Sequence, residues 1–460
     1  MTLDNYLHSL EKKSIAVVGY GVSNAPLTEL LLDRGLDVTV CDKRTEAEFE
    51  EAQLLRARGA NLRLGASYLE GLHEDVIFRT PGLHPYTKEL QNAVRDGSIL
   101  TSEMEAFFSV CPCRTIAITG SDGKTTTSTL ISLLLKESGH NVFLGGNIGA
   151  PLLDKVPQMK PEDFAVLELS SFQLHSMKCA PNVAVITNIS PNHLDVHPTL
   201  EDYVNAKRSI FLSQRETDRL VLNADDPHTA EFASEARAEL RYFGYGHSVP
   251  SGCFCVDELI YSARSYEVRE VMATSSILIP GVHNVENYMA AYAATDGFIT
   301  DSAFRKVART FPGVPHRIEL VRELNGVKYY NDSIASSPTR TIAGLRCFRK
   351  IKPILIAGGH DKHVPFDELG AEIVQRVKAL YLTGETAFRI KDAVQQTPGY
   401  NRLTLPIFVI DDFREAVLSA SKSAEEGDVV ILSPACSSFD KFKNFVERGN
   451  TFRRIVLEME

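Results

Sequence analysis

Apolar residues in this chain fall into short runs, each closed by a glycine or polar turn and followed by a longer stretch with helical spacing. "SIAVVGYGVSNAPLTELLLDRG" reads as a buried strand, a glycine turn and an amphipathic helix. "LDVTVCDKR" predicts a second strand ending in Asp42, and "DVIFRTPGL" a third ending at Thr80-Pro81-Gly82. Near Ser102 the rhythm restarts: "RTIAIT" is a strand, a glycine loop follows, and "TTTSTLISLLLKESG" is a helix. "DFAVLELSS" and "NVAVITNIS" are two more strands running into polar turns. A third series begins near Pro312-Gly313, with strands in "KYYNDS", "KPILIAGG", "KALYLTG", "PIFVI" and "DVVILSP". "TRTIAGLRCF" and "FREAVLSASKSA" are helices between them.

Strands alternating with helices predict an α/β fold with largely parallel sheets. Three consecutive domains are expected: 1–102 and 313–460 Rossmann-like, and 103–312 a central P-loop-type ATPase sheet. The length of 460 residues agrees, since it exceeds what one hydrophobic core usually serves. A content of 44% hydrophobic and 23% charged residues is that of an ordinary globular protein. The net charge of −10 weighs against a nucleic-acid partner, and leaves any anionic substrate to local cationic pockets. Among the 8 cysteines, Cys111/Cys113 and Cys253/Cys255 form C-x-C pairs, but neither pair has a second pair or histidines at finger spacing. Free thiols are therefore expected rather than a metal or redox centre. No apolar run reaches membrane-spanning length, and "MTLDNYLHSLEKK" lacks the layout of a signal peptide. A cytoplasmic protein without membrane insertion is expected.

Two glycine turns carry candidate chemistry. Gly19 and Gly21 form a partial dinucleotide fingerprint, with Asn24 where the third glycine belongs. Backbone can approach a ligand there, and the following helix N-terminus favours an anion. In "ITGSDGKTTT", Gly120 precedes Gly123 by three residues, fewer than in G-x-x-x-x-G-K-[ST]. The shorter loop still offers backbone N–H groups from Gly120, Ser121, Asp122 and Gly123 to phosphate oxygens. Lys124 can reach terminal phosphates, and Thr125 and Thr126 open the helix. A chance G-K-T turn is the competing reading; the strand before and helix after favour the phosphate loop. Glu168 ends an apolar strand, where a hard cation would offset the cost of a carboxylate. "NISPNHLDVH" adds His193 and Asp195, and "YVNAKRSIF" adds Lys207, on a helix with Tyr203, Ile210 and Phe211. Taken singly, Glu168 has a solvated strand end as its lesser reading, a lone histidine such as His193 is more often structural than catalytic, and bare sequence favours an ordinary surface lysine for Lys207.

The runs "ITGSDGKTTT", "LELSSFQL", "NISPNHLDVH", "NADD", "IPGVHNVEN", "GVPHRIE" and "YYNDS" occur in the order of the Mur ligase family, which the chain resembles over essentially its whole length. The shortened loop is the family's own. "LSPACSSFDKFKNFVERG" is similar to the family's D-glutamate-adding members. The resemblance implies an ATP-dependent amide ligase of peptidoglycan synthesis, monomeric, that activates a carboxylate of UDP-MurNAc-L-Ala as an acyl phosphate for attack by D-glutamate. It implies phosphate neutralisation by Lys124, one Mg²⁺ on Thr125 and Glu168, and a second on His193 and Lys207, the lysine carbamylated by CO₂. Asn284 and Asn287 would bind adenine-side or phosphate groups, Arg317 phosphate, and Asp332 ribose. In the first domain, Ser23 and Asn24 would meet the UDP-sugar phosphates, Asp42 and Arg44 would lie near uracil or ribose, and Gly82 follows the third strand at the same site; Asn147, in "GGNIG", would contact the sugar side. The acceptor pocket departs from the family's N-D-S-K-A-T-N: here "NDSIASS" puts Ile334 in place of the lysine and Ser336 in place of the threonine. Lys362, Ser437 and Phe442 are the remaining acceptor candidates.

Three alternatives stay open on sequence. One is another ligase of the family, for instance with L-glutamate as acceptor, although no D-N-P-R acceptor motif is present. A second is a non-catalytic scaffold on the ligase fold, against which Lys124, Glu168, His193 and Lys207 all stand. The third, a dinucleotide-dependent oxidoreductase, rests on Gly19 and Gly21 alone and leaves the later domains unexplained.

Overall fold

The computed structural model describes residues 1–190, 197, 199–265, 267–348 and 351–460. It is a mixed α/β structure with three sheets among these residues. The first contains β1 (Ile15–Val18), β2 (Val38–Asp42), β3 (Asn61–Leu64), β4 (Val76–Arg79) and β5 (Ile99–Thr101), all parallel, in the order β3-β2-β1-β4-β5. The second contains β6 (Arg114–Thr119), β7 (Val142–Gly146), β8 (Phe164–Glu168), β9 (Val183–Ile186), β10 (Arg219–Asn223), β11 (Glu239–Tyr245), β12 (Gly252–Val256), β13 (Leu259–Arg264) and β14 (Glu267–Ala273). Its order is β14-β13-β12-β11-β10-β9-β6-β8-β7, parallel from β7 to β12, with β13 and β14 added as antiparallel hairpins at one edge. The third contains β15 (Glu319–Leu324), β16 (Val327–Asn331), β17 (Ile354–Ala357), β18 (Ala379–Leu382), β19 (Ile407–Val409) and β20 (Val429–Leu432), in the order β15-β16-β20-β17-β18-β19. Only β15 runs antiparallel to its neighbour.

The uniformly apolar runs become central strands because both sheet faces are covered. Every residue of β1, β4, β6 after its first residue, β8, β9, β17, β18 and β20 is buried. Strand β6 lies between β8 and β9, so the carboxyl ends of three central strands open side by side, where ligands gather in such sheets.

The chain divides into two compact units, residues 1–274 with 286–307, and residues 275–285 with 308–460. The first unit holds the first two sheets. One continuous apolar cluster runs from Leu7, Val17 and Leu31 to Leu153, Leu167 and Ile186. Arg79, at the end of β4 and only 1% exposed, fastens the same layers. Its guanidinium donates to the carbonyls of Thr80, Pro81 and Leu83 in its own turn, and to Phe172 O (3.1 Å) and Ser176 Oγ (3.0 Å) below the second sheet. The second unit buries apolar side chains on both faces of the third sheet, around Leu355 and Leu380 on one face and around Ile356 and Val430 on the other.

All eight cysteines are free. No helix among the described residues is long and apolar enough to cross a membrane.

Candidate active site

The loop between β6 and the helix Lys124–Glu137 is built by its neighbours. Gly120 has φ +147°, and a Cβ there would meet Thr187 Oγ1 at 1.8 Å, so any side chain would push the loop off β9. Gly123 caps the helix at φ +81°, with Asn287 Oδ1 at 2.4 Å from where its Cβ would stand. Side chains from the β9 end hold the intervening residues. Ser121 N donates to Asn188 O (2.9 Å) and Asp122 N to Asn188 Oδ1 (2.9 Å), while Thr187 Oγ1 donates to Asp122 O (2.6 Å). Ser121 Oγ lies 2.9 Å from both Ser190 O and Tyr203 Oη. The result is a short fixed turn ahead of a 14-residue helix whose N-terminus favours an anion.

Three groups line the mouth of this turn. Lys124 Nζ folds back onto Gly120 O (2.8 Å) and Ser121 O (2.9 Å). Thr125 Oγ1 donates to Glu168 Oε2 at 2.8 Å, and the other oxygen of that carboxylate accepts from Asn147 Nδ2 at 2.8 Å. Asn147 N also donates to Glu168 O at 2.7 Å. Glu168 is 2% exposed and ends β8, so a buried carboxylate is pinned by two neutral donors and no cation in these bonds. Thr126, next on the helix, is buried.

Lys207 lies beneath the loop. It is 1% exposed, and its Nζ donates to Gly120 O at 2.8 Å, with Thr119 Oγ1 at 3.5 Å and the Tyr203 ring centroid at 4.5 Å. Burial, and then the charge of Lys124, push its amine well below the usual lysine range; Asp122 opposes this. Helical spacing brought Tyr203, Ile210 and Phe211 into the same buried face, and that face carried Lys207 inward. The surface reading of this lysine does not hold. His193 and Asp195 lie outside the described residues.

Asn287 is buried and accepts from Thr127 Oγ1 at 3.2 Å, which sets it behind the start of the loop helix. Asn284, in the other unit, donates to Pro280 O at 2.6 Å.

In the first sheet, Asp42 accepts from Tyr20 N (2.9 Å), Arg44 N (3.0 Å) and Arg44 Nε (2.9 Å). Burial works against its charge, but these hydrogen bonds outweigh it and hold the carboxyl below its ordinary range. Arg44 also donates to Tyr20 O at 2.7 Å and lies 4.4 Å over the Phe49 ring. Asn24 is buried, and its Nδ2 donates inward to Val18 O (3.2 Å) and Gly19 O (3.0 Å), closing the glycine turn. Ser23 is half-buried and makes no capping bond through its side chain. Gly82 is exposed, with open space where its Cβ would stand.

In the second unit, Asp332 accepts from Ser433 Oγ (2.8 Å) and Ile318 N (3.3 Å). Burial dominates and pushes its carboxyl up to about 7, against the pull of those donors and of Arg317. Arg317 sits between two left-handed residues, His316 at φ +65° and Ile318 at φ +45°, an uncommon backbone that fixes where its side chain starts. Lys362 is exposed, with one long contact to Ser336 O at 3.4 Å. Ser437 is buried with no partner for its hydroxyl among the described residues, although its carbonyl accepts from His360 N (2.9 Å) and Arg448 Nη1 (3.1 Å). Phe442 packs edge-on against Phe413, centroids 5.1 Å apart.

Thus Gly120–Thr126, Asn147, Glu168, Lys207 and Asn287 come together around one loop. Sequence reasoning missed the bracing roles of Asn188, Thr187 and Tyr203 at this loop, and the latch that Arg79 makes from β4 to Phe172 and Ser176. Thr187 and Asn188 directly follow an apolar run, a signal many turns share, while Tyr203 lies on the Lys207 helix and Arg79 ends β4, positions that do not tell where the side chain turns.

Comparison with known proteins bears on this arrangement. Residues 118–295 match the Mur ligase middle domain, and residues 316–436 match the Mur ligase, glutamate ligase domain. A UDP-N-acetylmuramoylalanine–D-glutamate ligase of Acetivibrio thermocellus is 50% identical, covering 100% of this chain and 99% of its own. A protein of the same name from Ruminiclostridium cellulolyticum is 49% identical over 99% of this chain and 98% of its own. Among solved structures, a UDP-N-acetylmuramoyl-L-alanyl-D-glutamate–2,6-diaminopimelate ligase shares the fold with a TM-score of 0.59 at 18% identity, covering 92% of this chain and 93% of its own. A UDP-N-acetylmuramate–alanine ligase of Thermotoga maritima does so at 0.55 and 19%, covering 97% and 100%.

Proposed function

The chain belongs to the Mur ligase family, and we infer that it is an ATP-dependent ligase joining D-glutamate to UDP-N-acetylmuramoyl-L-alanine in peptidoglycan precursor synthesis. The observation that carries the reading is the Thr125–Glu168 pair at the mouth of a short phosphate loop, in a chain similar over its full length to D-glutamate ligases. The alternative readings as a scaffold or an oxidoreductase have no comparable support.

The reaction brings three anions together: triphosphate, substrate carboxylate and the incoming amino acid. Catalysis then depends on positioning and charge neutralisation more than on proton transfer. The backbone of Gly120–Gly123 and the helix N-terminus receive phosphate oxygens, and Lys124, now folded on the loop, swings to the terminal phosphates. The substrate carboxylate attacks the terminal phosphorus, the bond to ADP breaks, and an acyl phosphate forms. The neutral amine of D-glutamate attacks its carbonyl, and phosphate leaves as the amide closes.

Mg²⁺, when bound, neutralises charge developing on the transferred phosphoryl group. Thr125 and Glu168 fit one such ion, being hard oxygen donors 2.8 Å apart with the carboxylate held from behind by Asn147. Lys207 and His193 are assigned to a second. An ammonium would repel a cation, whereas the depressed amine of Lys207 favours the free base that adds CO₂. In that addition an N–C bond forms, one proton leaves to water, and an anionic carbamate oxygen remains.

Asn284, Asn287, Arg317 and Asp332 are assigned to ATP. Ser23, Asn24, Asp42, Arg44 and Gly82 are assigned to the UDP-sugar. Lys362, Ser437 and Phe442 are assigned to the acceptor. Asn147 serves the sugar side through the same amide that braces Glu168. The functional division is three consecutive domains, 1–102 and 313–460 Rossmann-like and 103–312 the ATPase sheet, acting in the cytoplasm as a monomer.

ADP release, measured with UDP-MurNAc-L-Ala and a panel of amino acids including both glutamate enantiomers, tests the reading. Release is expected only with ATP, Mg²⁺, the UDP-sugar and D-glutamate together. Steady ATP hydrolysis indifferent to the UDP-sugar, or a preference for another acceptor, would overturn it.

A further inference from the structure

A cluster of imidazoles in the first unit is used by none of the steps above. His84 lies two residues past Gly82 in the turn after β4, and His175 follows the short helix Ser171–Leu174. Asp202 lies in the first turn of the helix Leu200–Leu212. One ring nitrogen from each histidine and one carboxylate oxygen of Asp202 lie within 4.8 Å of one another. His175 has a side chain only 5% exposed, with Nε2 at 3.1 and 3.2 Å from the two Asp202 oxygens. Among the described residues its Nδ1 has no hydrogen-bond partner, and the buried His84 Nε2 likewise has none. His84 Nδ1 faces only the Tyr86 N–H, at 3.3 Å. Buried polar atoms are nearly always paired, so the vacant His84 Nε2, in a cluster with the His175 ring and the Asp202 carboxylate, marks a place built for another atom.

We propose that His84, His175 and Asp202 form a transition-metal site for a borderline divalent cation of the zinc class, separate from the residues assigned to Mg²⁺. Two imidazoles and a carboxylate suit Zn²⁺, Ni²⁺ or Co²⁺, whereas Mg²⁺ favours an all-oxygen shell. His197 supplies the outer support such sites use: it is fully buried, with Nδ1 at 2.6 Å from Asp202 Oδ2 and Nε2 at 2.9 Å from Ser171 Oγ. Donors around a tetrahedral ion lie about 3.3–3.5 Å apart, given bonds of about 2.0–2.2 Å, so binding draws the three groups inward by about 1 Å. An ion there joins the turn that carries Gly82 to two segments of the second sheet's layer.

The test is a Co²⁺ titration of the full chain in excess Mg²⁺, read by visible absorption. One equivalent of a tetrahedral-type band is expected, displaced by Zn²⁺, with a rise in unfolding temperature. His84→Gln and His175→Gln should each weaken binding at least about tenfold. Glu168→Gln should leave the band intact, which separates this site from the assigned Mg²⁺ position. His84→Gln lies in a partly exposed turn, so it reports on the site even if His175→Gln fails to fold. Absence of the band, its survival in His84→Gln, or its loss in Glu168→Gln would each overturn the proposal.

Discussion

The loop at Gly120 and the region of Lys362, the proposed acceptor side, are built on opposite terms. Around Gly120 almost every polar atom is spoken for: Thr125 and Asn147 hold Glu168, Tyr203 and Ser190 hold Ser121, and Asn188 holds Asp122. Around Lys362, among the described residues, the exposed ammonium has one contact at 3.4 Å and the buried Ser437 hydroxyl has no partner. The first region is fixed before substrate arrives, as electrostatic stabilisation of a transferring phosphoryl group requires. The second leaves donors vacant for an amino acid that brings two carboxylates. Preorganisation is concentrated where charge moves, and openness where specificity is completed by the ligand.

The strongest way to break this contrast is Lys207→Ala. Removing the group under the loop should lower kcat by about 10²–10³-fold, the scale of a lost electrostatic contact. Formate or acetate should restore part of the activity by returning an anionic oxygen; full activity without rescue would mean the buried lysine is only packing. Lys362→Ala should raise the KM for D-glutamate by about 10- to 150-fold, from a charged hydrogen bond of about 1.5–3 kcal/mol. The KM for UDP-MurNAc-L-Ala should stay near its original value, and Ile334→Lys should be tolerated or should tighten glutamate binding. An unmoved glutamate KM would place the acceptor elsewhere.

Asn147→Ala frees one oxygen of Glu168 and should raise the Mg²⁺ concentration needed for half-maximal rate by about 10-fold, as loss of an outer-shell contact does. If only the UDP-sugar KM moves, the amide serves the sugar alone. The smallest effect concerns pH. Asp332 has a folded pKa near 7 against an ordinary 3.8, so between these values the folded protein holds a proton that the unfolded chain has released. Unfolding stability attributable to this group therefore falls as pH rises from about 4 to about 7. Asp332→Asn should gain in unfolding temperature relative to the parent as pH rises from 5 to 8; an unchanged difference would show that burial does not raise this carboxyl.

What the sequence disclosed follows from the strength of local signals. Buried parallel strands such as β1, β6, β8, β9 and β20 are unbroken apolar runs, and the glycines at 120 and 123 are forced by backbone geometry. Both features survive without knowledge of neighbours. Strands β11, β13 and β14 escaped because their burial is partial, β14 exposing its first four residues, whereas β10 and β12 went unread although nearly all their residues are buried. Candidate residues were legible when their motif fixed their chemistry, as for Lys124, Thr125 and Glu168. Orientation was not. Asn24 turns inward to the glycine turn, and Asn147 reaches Glu168, because each side chain follows partners distant in sequence. Asn188 opens the run "NISPNHLDVH", yet that motif pointed to His193 and Asp195 and not to the amide that braces the loop, and Arg79 carries no motif.

Arg79 has a consequence for how the protein comes apart. A guanidinium held by three carbonyls of its own turn and by two groups below the second sheet has no adequate replacement partners if that layer is cut away. An excised fragment ending near residue 102 would expose the shared apolar cluster and strand this charge. The first two sheets should therefore melt in a single cooperative transition, and a truncated N-terminal piece should aggregate or be degraded while the residues 308–460 melt on their own terms.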